Sequence, residues 1–176
     1  MNLVLIGYRG TGKTAIGRRL AERLDMEYVG LDDEIVRRAG KSIPELVDES
    51  GWERFRDLEA EVVRDAAAAD GRVLDTGGGA ILRDENVAVL RRNGIVFWLR
   101  ASVPDIVARI RGDDQRPSLT GRRSFTDEVD DVLAERKPRY SAAAHEKVDT
   151  SELSVDEAVE AIAEIFENER KPSKDA

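Results

Sequence analysis

Eight residues, Gly7-Tyr8-Arg9-Gly10-Thr11-Gly12-Lys13-Thr14, limit what this chain can fold into more than any other stretch. They match G-x-x-x-x-G-K-[ST], and the flanks agree. Leu3-Val4-Leu5-Ile6 reads as a strand apolar on both faces, and Ile16, Leu20 and Leu24 recur at four-residue spacing as one face of a helix. A glycine-rich turn between the two aims successive backbone N–H groups inward as an anion nest, and the positive end of the helix adds to that field. The pattern predicts a nucleoside triphosphate on Gly10, Thr11, Gly12, Lys13, Thr14 and Ala15, with Lys13 on the β- and γ-phosphates and the Thr14 hydroxyl on Mg²⁺. A chance glycine-rich turn is the competing reading, and it leaves the coincidence of strand, helix and complete motif unexplained.

The rest of the chain alternates short β-rich runs with helical stretches, which predicts an α/β fold with helices on both faces of a parallel sheet. Further strands are expected at Met26–Val29, Arg72–Asp75, Ile95–Leu99 and Lys147–Asp149. Helices are expected from the capping residues Ser42, Ser102 and Ser154, along the Phe55, Leu58, Val62 and Ala66 face, over Asp84–Arg92, and through Val129, Val132 and Leu133. With 176 residues the chain has the length of one domain at about 150 residues each. That domain is expected over 1–167, with a mobile lid at about 112–125 and a polar, frayed tail over 168–176.

Composition narrows the chemistry. There are no cysteines and a single histidine, His145, so disulfides, thiolate metal sites and histidine relays are excluded. A net charge of −8 opposes general nucleic-acid affinity. The basic cluster Arg109, Arg111, Arg116, Arg122 and Arg123 has no interleaved aromatics. No apolar run approaches the roughly 20 residues that cross a bilayer, and Met1–Ile6 lacks a cationic leader. A cytoplasmic monomer with no nucleic-acid or membrane partner is expected.

The phosphate motif alone does not choose between kinase, GTPase and motor. A guanine-reading Asn-Lys-x-Asp string is absent, and there is no room for coupling segments. A small kinase needs a cradle, an acceptor pocket and a lid that excludes water. Acceptor candidates are Asp32 after the second strand, Arg56 in Phe55-Arg56-Asp57-Leu58-Glu59, and Gly77-Gly78-Gly79 at the end of the third strand. In an open parallel sheet, ligands bind beyond the carboxyl ends of the strands, which puts Asp32 and the glycines on the rim of the cradle.

Along nearly its whole length the chain resembles the shikimate kinases. The resemblance rests on the phosphate motif, Asp32, Phe55-Arg56 with Glu59, Gly77-Gly78-Gly79, Arg116-Pro117, and Arg136 before Pro138 and Tyr140. It implies a three-layer α/β/α fold of the nucleoside monophosphate kinase type, with a five-stranded parallel sheet in the order 2-3-1-4-5. The implied reaction is transfer of the ATP γ-phosphate to the 3-hydroxyl of shikimate, with Mg²⁺ as cofactor. By the same resemblance, Asp32 holds the acceptor hydroxyl, Arg56 and Arg136 grip the carboxylate, Gly78 and Gly79 offer N–H groups, and Arg116 closes over the phosphates. Arg109 is a further nucleotide contact, and Glu59 positions Arg56 from one turn away.

One position departs from the pattern. The family's Asp-x-Asp places an acid where this chain has Gly30. Asp75, at the end of the third strand, is expected to take over at the metal; the alternatives are a strand cap, or Mg²⁺ held by Thr14, phosphates and water alone. Asp33 is expected in the first turn of a helix, Trp98 in the core, His145 at the surface or a strand edge, and Trp52 either in the core or walling the acceptor pocket. Two other functions stay open: a related kinase for another hydroxy acid such as gluconate, and a non-catalytic ATP-binding module.

Overall fold

In the computed structural model, which describes residues 1–110 and 125–170 (the side chains of 125–127 excepted), strands and helices alternate. The strands are β1 (Asn2–Ile6), β2 (Glu27–Gly30), β3 (Arg72–Asp75), β4 (Gly94–Arg100) and β5 (Glu146–Asp149). The helices are α1 (Lys13–Leu24), α2 (Leu31–Ala39), α3 (Ile43–Ala67), α4 (Asp84–Arg92), α5 (Val103–Ile110), α6 (Phe125–Ala143) and α7 (Val155–Arg170). All strand pairs are parallel, in the order β2-β3-β1-β4-β5. This is the order the resemblance implies.

Alternation along the strands sorts the core into two layers. Val4, Ile6, Leu74, Val96 and Trp98 face Leu58 and Val62 of α3 and Leu90 of α4. Leu3, Leu5, Val73, Ile95, Phe97 and Leu99 face Ile16 and Leu20 of α1 and Ile162 and Phe166 of α7. β1 is buried on both faces, apolar from Leu3 to Ile6, and its one polar residue, Asn2, has its amide bonded to the Ala69 carbonyl and the Arg72 N–H. A third cluster joins Tyr8 to Ile106 and Ile110 of α5 and Val129 and Val132 of α6, which anchors the rim of the cradle to the helices beside it.

Several boundaries differ from the sequence reading for physical reasons. The Ser42-capped helix and the Phe55 helix form one element, α3, broken at Gly51, whose φ of 78° and ψ of 167° no helix accommodates. The capping box at Ser42 and Glu45 forms as expected. Phe55 and Glu59 are buried on the second segment. A short 3₁₀ turn at Ala80–Leu82, without a periodic signature of its own, follows the triple glycine. Phe125 belongs to α6, and Asn168 to Arg170 belong to α7, so both helices extend beyond the expected boundaries. The rest of the expected lid, 112–124, and the tail from Lys171 lie outside the described residues. No helix among the described residues is long and apolar enough to cross a membrane.

Candidate active site

β1 delivers the chain into the loop at its carboxyl end, and α1 starts immediately after Gly12. Gly10 and Gly12 have φ of 79° and 91°, left-handed values that a side chain would strain. The first turn of α1 carries no acid, which leaves its positive end available to an anion. Lys13 is buried, its ammonium donating to the carbonyls of Gly7 (3.0 Å) and Tyr8 (3.1 Å) at the centre of the loop. Thr11 turns inward and donates to the Tyr8 carbonyl at 2.8 Å, so its side chain serves the shape of the loop. Gly10, Gly12, Lys13, Thr14 and Ala15 line one pocket together with Asp32 and Asp75. Arg109, at the end of α5, donates to the Gly10 carbonyl at 3.2 Å and to the Thr150 carbonyl at 2.9 Å, tying the cradle to the end of β5.

A second pocket opens beside the first. It gathers Asp32, Arg56, Glu59, Gly77, Gly78, Gly79 and Arg136, with Tyr8, Arg9, Trp52 and Phe55 as walls. Close approach explains the glycines. A Cβ on Gly77 would lie 2.7 Å from Asp32 Oδ1 and 3.1 Å from Glu59 Oε1, and one on Gly79 would lie 2.2 Å from an Arg56 guanidinium nitrogen. Two carboxylates and a guanidinium can therefore press against bare backbone. Arg56 donates to Glu59 Oε2 at 2.6 Å. Burial pushes the Glu59 carboxyl up, and the Arg56 charge opposes that rise. Arg136 donates to the Gly78 carbonyl at 3.1 Å, and the fully buried Tyr140 hydroxyl donates to the same oxygen at 2.5 Å. Among the described residues none offers an acceptor to the N–H of Gly78 or Gly79.

Asp32 and Arg9 line both pockets, so groups bound in the two would meet at these side chains. A family model for shikimate kinase matches residues 9–167. The chain belongs to the shikimate kinase family. It is therefore one of the ATP-dependent kinases. A shikimate kinase of Pelotomaculum thermopropionicum is 43% identical over 161 residues, covering 92% of this chain and 92% of that protein. One of Nitratidesulfovibrio vulgaris is 46% identical over 147 residues, covering 82% of this chain and 83% of the relative. A solved shikimate kinase from Acinetobacter baumannii, in complex with shikimate, superposes with a TM-score of 0.89 at 34% identity, covering 97% of this chain and 95% of that one.

Where the chain departs from the shikimate kinase pattern, the geometry is specific. Gly30 and Asp75 are register partners on β2 and β3. Asp75 is buried, and its Oδ2 accepts from the Thr14 hydroxyl at 2.7 Å and from the Tyr28 hydroxyl at 2.9 Å. Asp33 sits in the first turn of α2, as expected. Trp98 is buried against Tyr140, His145 is exposed and hydrogen-bonded to the edge of β4, and Trp52 does wall the acceptor pocket. Arg116 lies outside the described residues.

Sequence reasoning missed Tyr8, Arg9 and Tyr28. The first two occupy variable positions of the phosphate motif, where no residue type is demanded, although a cation at Arg9 beside the cradle is a legible signal. Tyr28 reads as an ordinary strand aromatic until the register of β2 on β3 is known.

Proposed function

We propose that this chain transfers the γ-phosphate of ATP to the 3-hydroxyl of shikimate, a step toward the aromatic amino acids. The observation that carries the reading is the junction at Asp32, where the phosphate cradle meets a pocket with guanidinium groups and bare glycine backbone. Shikimate has one carboxylate and three hydroxyls, and this lining suits both. Arg56 and Arg136 clamp the carboxylate, Glu59 holds Arg56 in place, and the Gly78 and Gly79 N–H groups meet ring hydroxyls. Asp32 accepts the proton of the 3-hydroxyl as its oxygen bonds to the γ-phosphorus. The bond from that phosphorus to the β,γ-bridging oxygen breaks, and ADP leaves. Lys13 offsets charge on the transferring group, and Arg109 steadies the cradle.

The donor set at the rim fits Mg²⁺. It is all oxygen, and the Thr14 hydroxyl gives its hydrogen to Asp75, which leaves its lone pairs for a cation. Bound there, Mg²⁺ would neutralise charge on the β- and γ-phosphates. Thr14 would hold it directly, with Asp75 in place of the acid absent at Gly30. We place the reaction in a monomer and in the cytoplasm, where ATP is supplied.

The test is ADP release coupled to a panel of hydroxy acids, with the product identified by phosphorus NMR. Shikimate should stimulate turnover and yield the 3-phosphate. Turnover of gluconate without shikimate, or no acid stimulating release above background ATP hydrolysis, would overturn the reading.

A further inference from the structure

Tyr28 stands where two glycines leave room for it. A Cβ on Gly17 would lie 3.1 Å from Tyr28 Cε2, and one on Gly30 would lie 3.3 Å from the Tyr28 hydroxyl, both tighter than ordinary contact. The ring therefore lies against α1, and the hydroxyl reaches the space that a side chain at residue 30 would take. Arg18 of α1 covers the ring, its guanidinium carbon 4.6 Å from the centroid. Held in this way, the hydroxyl donates to Asp75 Oδ2, the same oxygen that accepts from Thr14. Two donors converging on one carboxylate oxygen fix the rotation of the carboxylate. They also set the direction in which Thr14 must give its hydrogen.

We propose that Tyr28 is a positioning residue of the metal site: its hydroxyl orients Asp75, so that the Thr14 lone pairs and the remaining Asp75 oxygen face the cation on the nucleotide. Gly30 is then more than a lost acid. Its missing side chain leaves room for the hydroxyl that makes the acid across the strand usable: a Cβ there would crowd Asp33 Oδ2 at 2.9 Å and the Tyr28 hydroxyl at 3.3 Å. Outer partners that orient a metal ligand commonly matter 10- to 100-fold in metal affinity. The inference rests on reading Asp75 as the metal-site acid.

Binding of Mn²⁺ to the enzyme–ADP complex, read by electron paramagnetic resonance, tests it without turnover. Tyr28→Phe should weaken Mn²⁺ roughly 10-fold, with ADP affinity in chelator and the thermal midpoint close to those of the wild type. Tyr28→Leu, which also removes the hydroxyl, should weaken Mn²⁺ by a similar factor, so the test does not hang on one variant. Asp75→Asn serves as reference. Wild-type Mn²⁺ affinity in Tyr28→Phe alongside a loss in Asp75→Asn would overturn the role of Tyr28 and leave Asp75 standing. Wild-type affinity in both would overturn the two together.

Discussion

Arg56 reaches the acceptor pocket because residue 79 has no side chain: its guanidinium occupies the volume a Cβ would claim, and Glu59 holds it from the same helix. Gly79→Ala must therefore displace the guanidinium. The expected result is a fall of about 10²-fold in kcat/KM for shikimate, the usual cost of roughly 1 Å of misplacement, while calorimetry shows ATP-analogue binding unchanged. Lys13 and Thr14 line the cradle pocket, Arg56 and Arg136 the acceptor pocket, and Asp32 both; the phosphate motif and the strand ends pointed to all of these but Arg136, which only the resemblance singled out. What sequence cannot carry is which neighbours make room, and Gly77 opposite Asp32, like Tyr28 beside Asp75, needs the register. His145 gives a separate test. Its Nδ1 accepts from the Val96 N–H at 2.9 Å, and desolvation of the ring edge turned to β4, with the Arg91 charge second, holds its pKa below the ordinary value although the residue as a whole is exposed. The unfolded chain then takes up this proton first, so the stability tied to neutral His145 is present above about pH 6.5 and is lost as pH falls toward the lower folded value. His145→Gln keeps an acceptor without titrating. Its thermal midpoint should fall less between pH 7 and pH 5, to be checked by calorimetry; equal slopes would contradict the assignment.

At the scale of elements, α3 shows how a break in a helix shapes a pocket. Nothing lies within 4 Å of a Cβ built on Gly51, yet its φ of 78° with ψ of 167° belongs almost solely to glycine. Gly51→Ala should cost about 1–3 kcal/mol of stability by urea unfolding. It should also raise KM for shikimate more than for ATP, because Trp52, Phe55 and Arg56 follow the break directly. Buried strands such as β1 and β4 were legible as continuous apolar runs, α1 as a four-residue period and α7 from its cap at Ser154. Two features were not. The union of two helical segments at Gly51 has no period of its own, and the 3₁₀ turn after Gly79 is too short to show one. The start of α6 and the far end of α7 blurred because polar residues there carry no apolar period, although the backbone is helical.

For the whole molecule, an acidic chain of net charge −8 presents Arg9, Arg56 and Arg136 against Asp32 and Glu59 in the acceptor pocket, a local positive balance that draws in anionic substrates. KM for shikimate should therefore climb as salt shortens the screening length from about 10 Å at 0.1 M toward about 3 Å at 1 M, with kcat much less affected. An unchanged KM would place the recognition in hydrogen bonding alone. The order β2-β3-β1-β4-β5 sets β2 and β3 on the same side of the cradle strand, which is why Asp32, Asp75 and the triple glycine share one rim. A crystal structure with shikimate and a non-hydrolysable ATP analogue bound together measures the central claim. The 3-hydroxyl should lie about 3–3.5 Å from the γ-phosphorus, with Asp32 on the hydroxyl and Arg56 and Arg136 on the carboxylate. A shikimate ring seated away from the γ-phosphorus, or turned with its carboxylate toward Asp32, would contradict it.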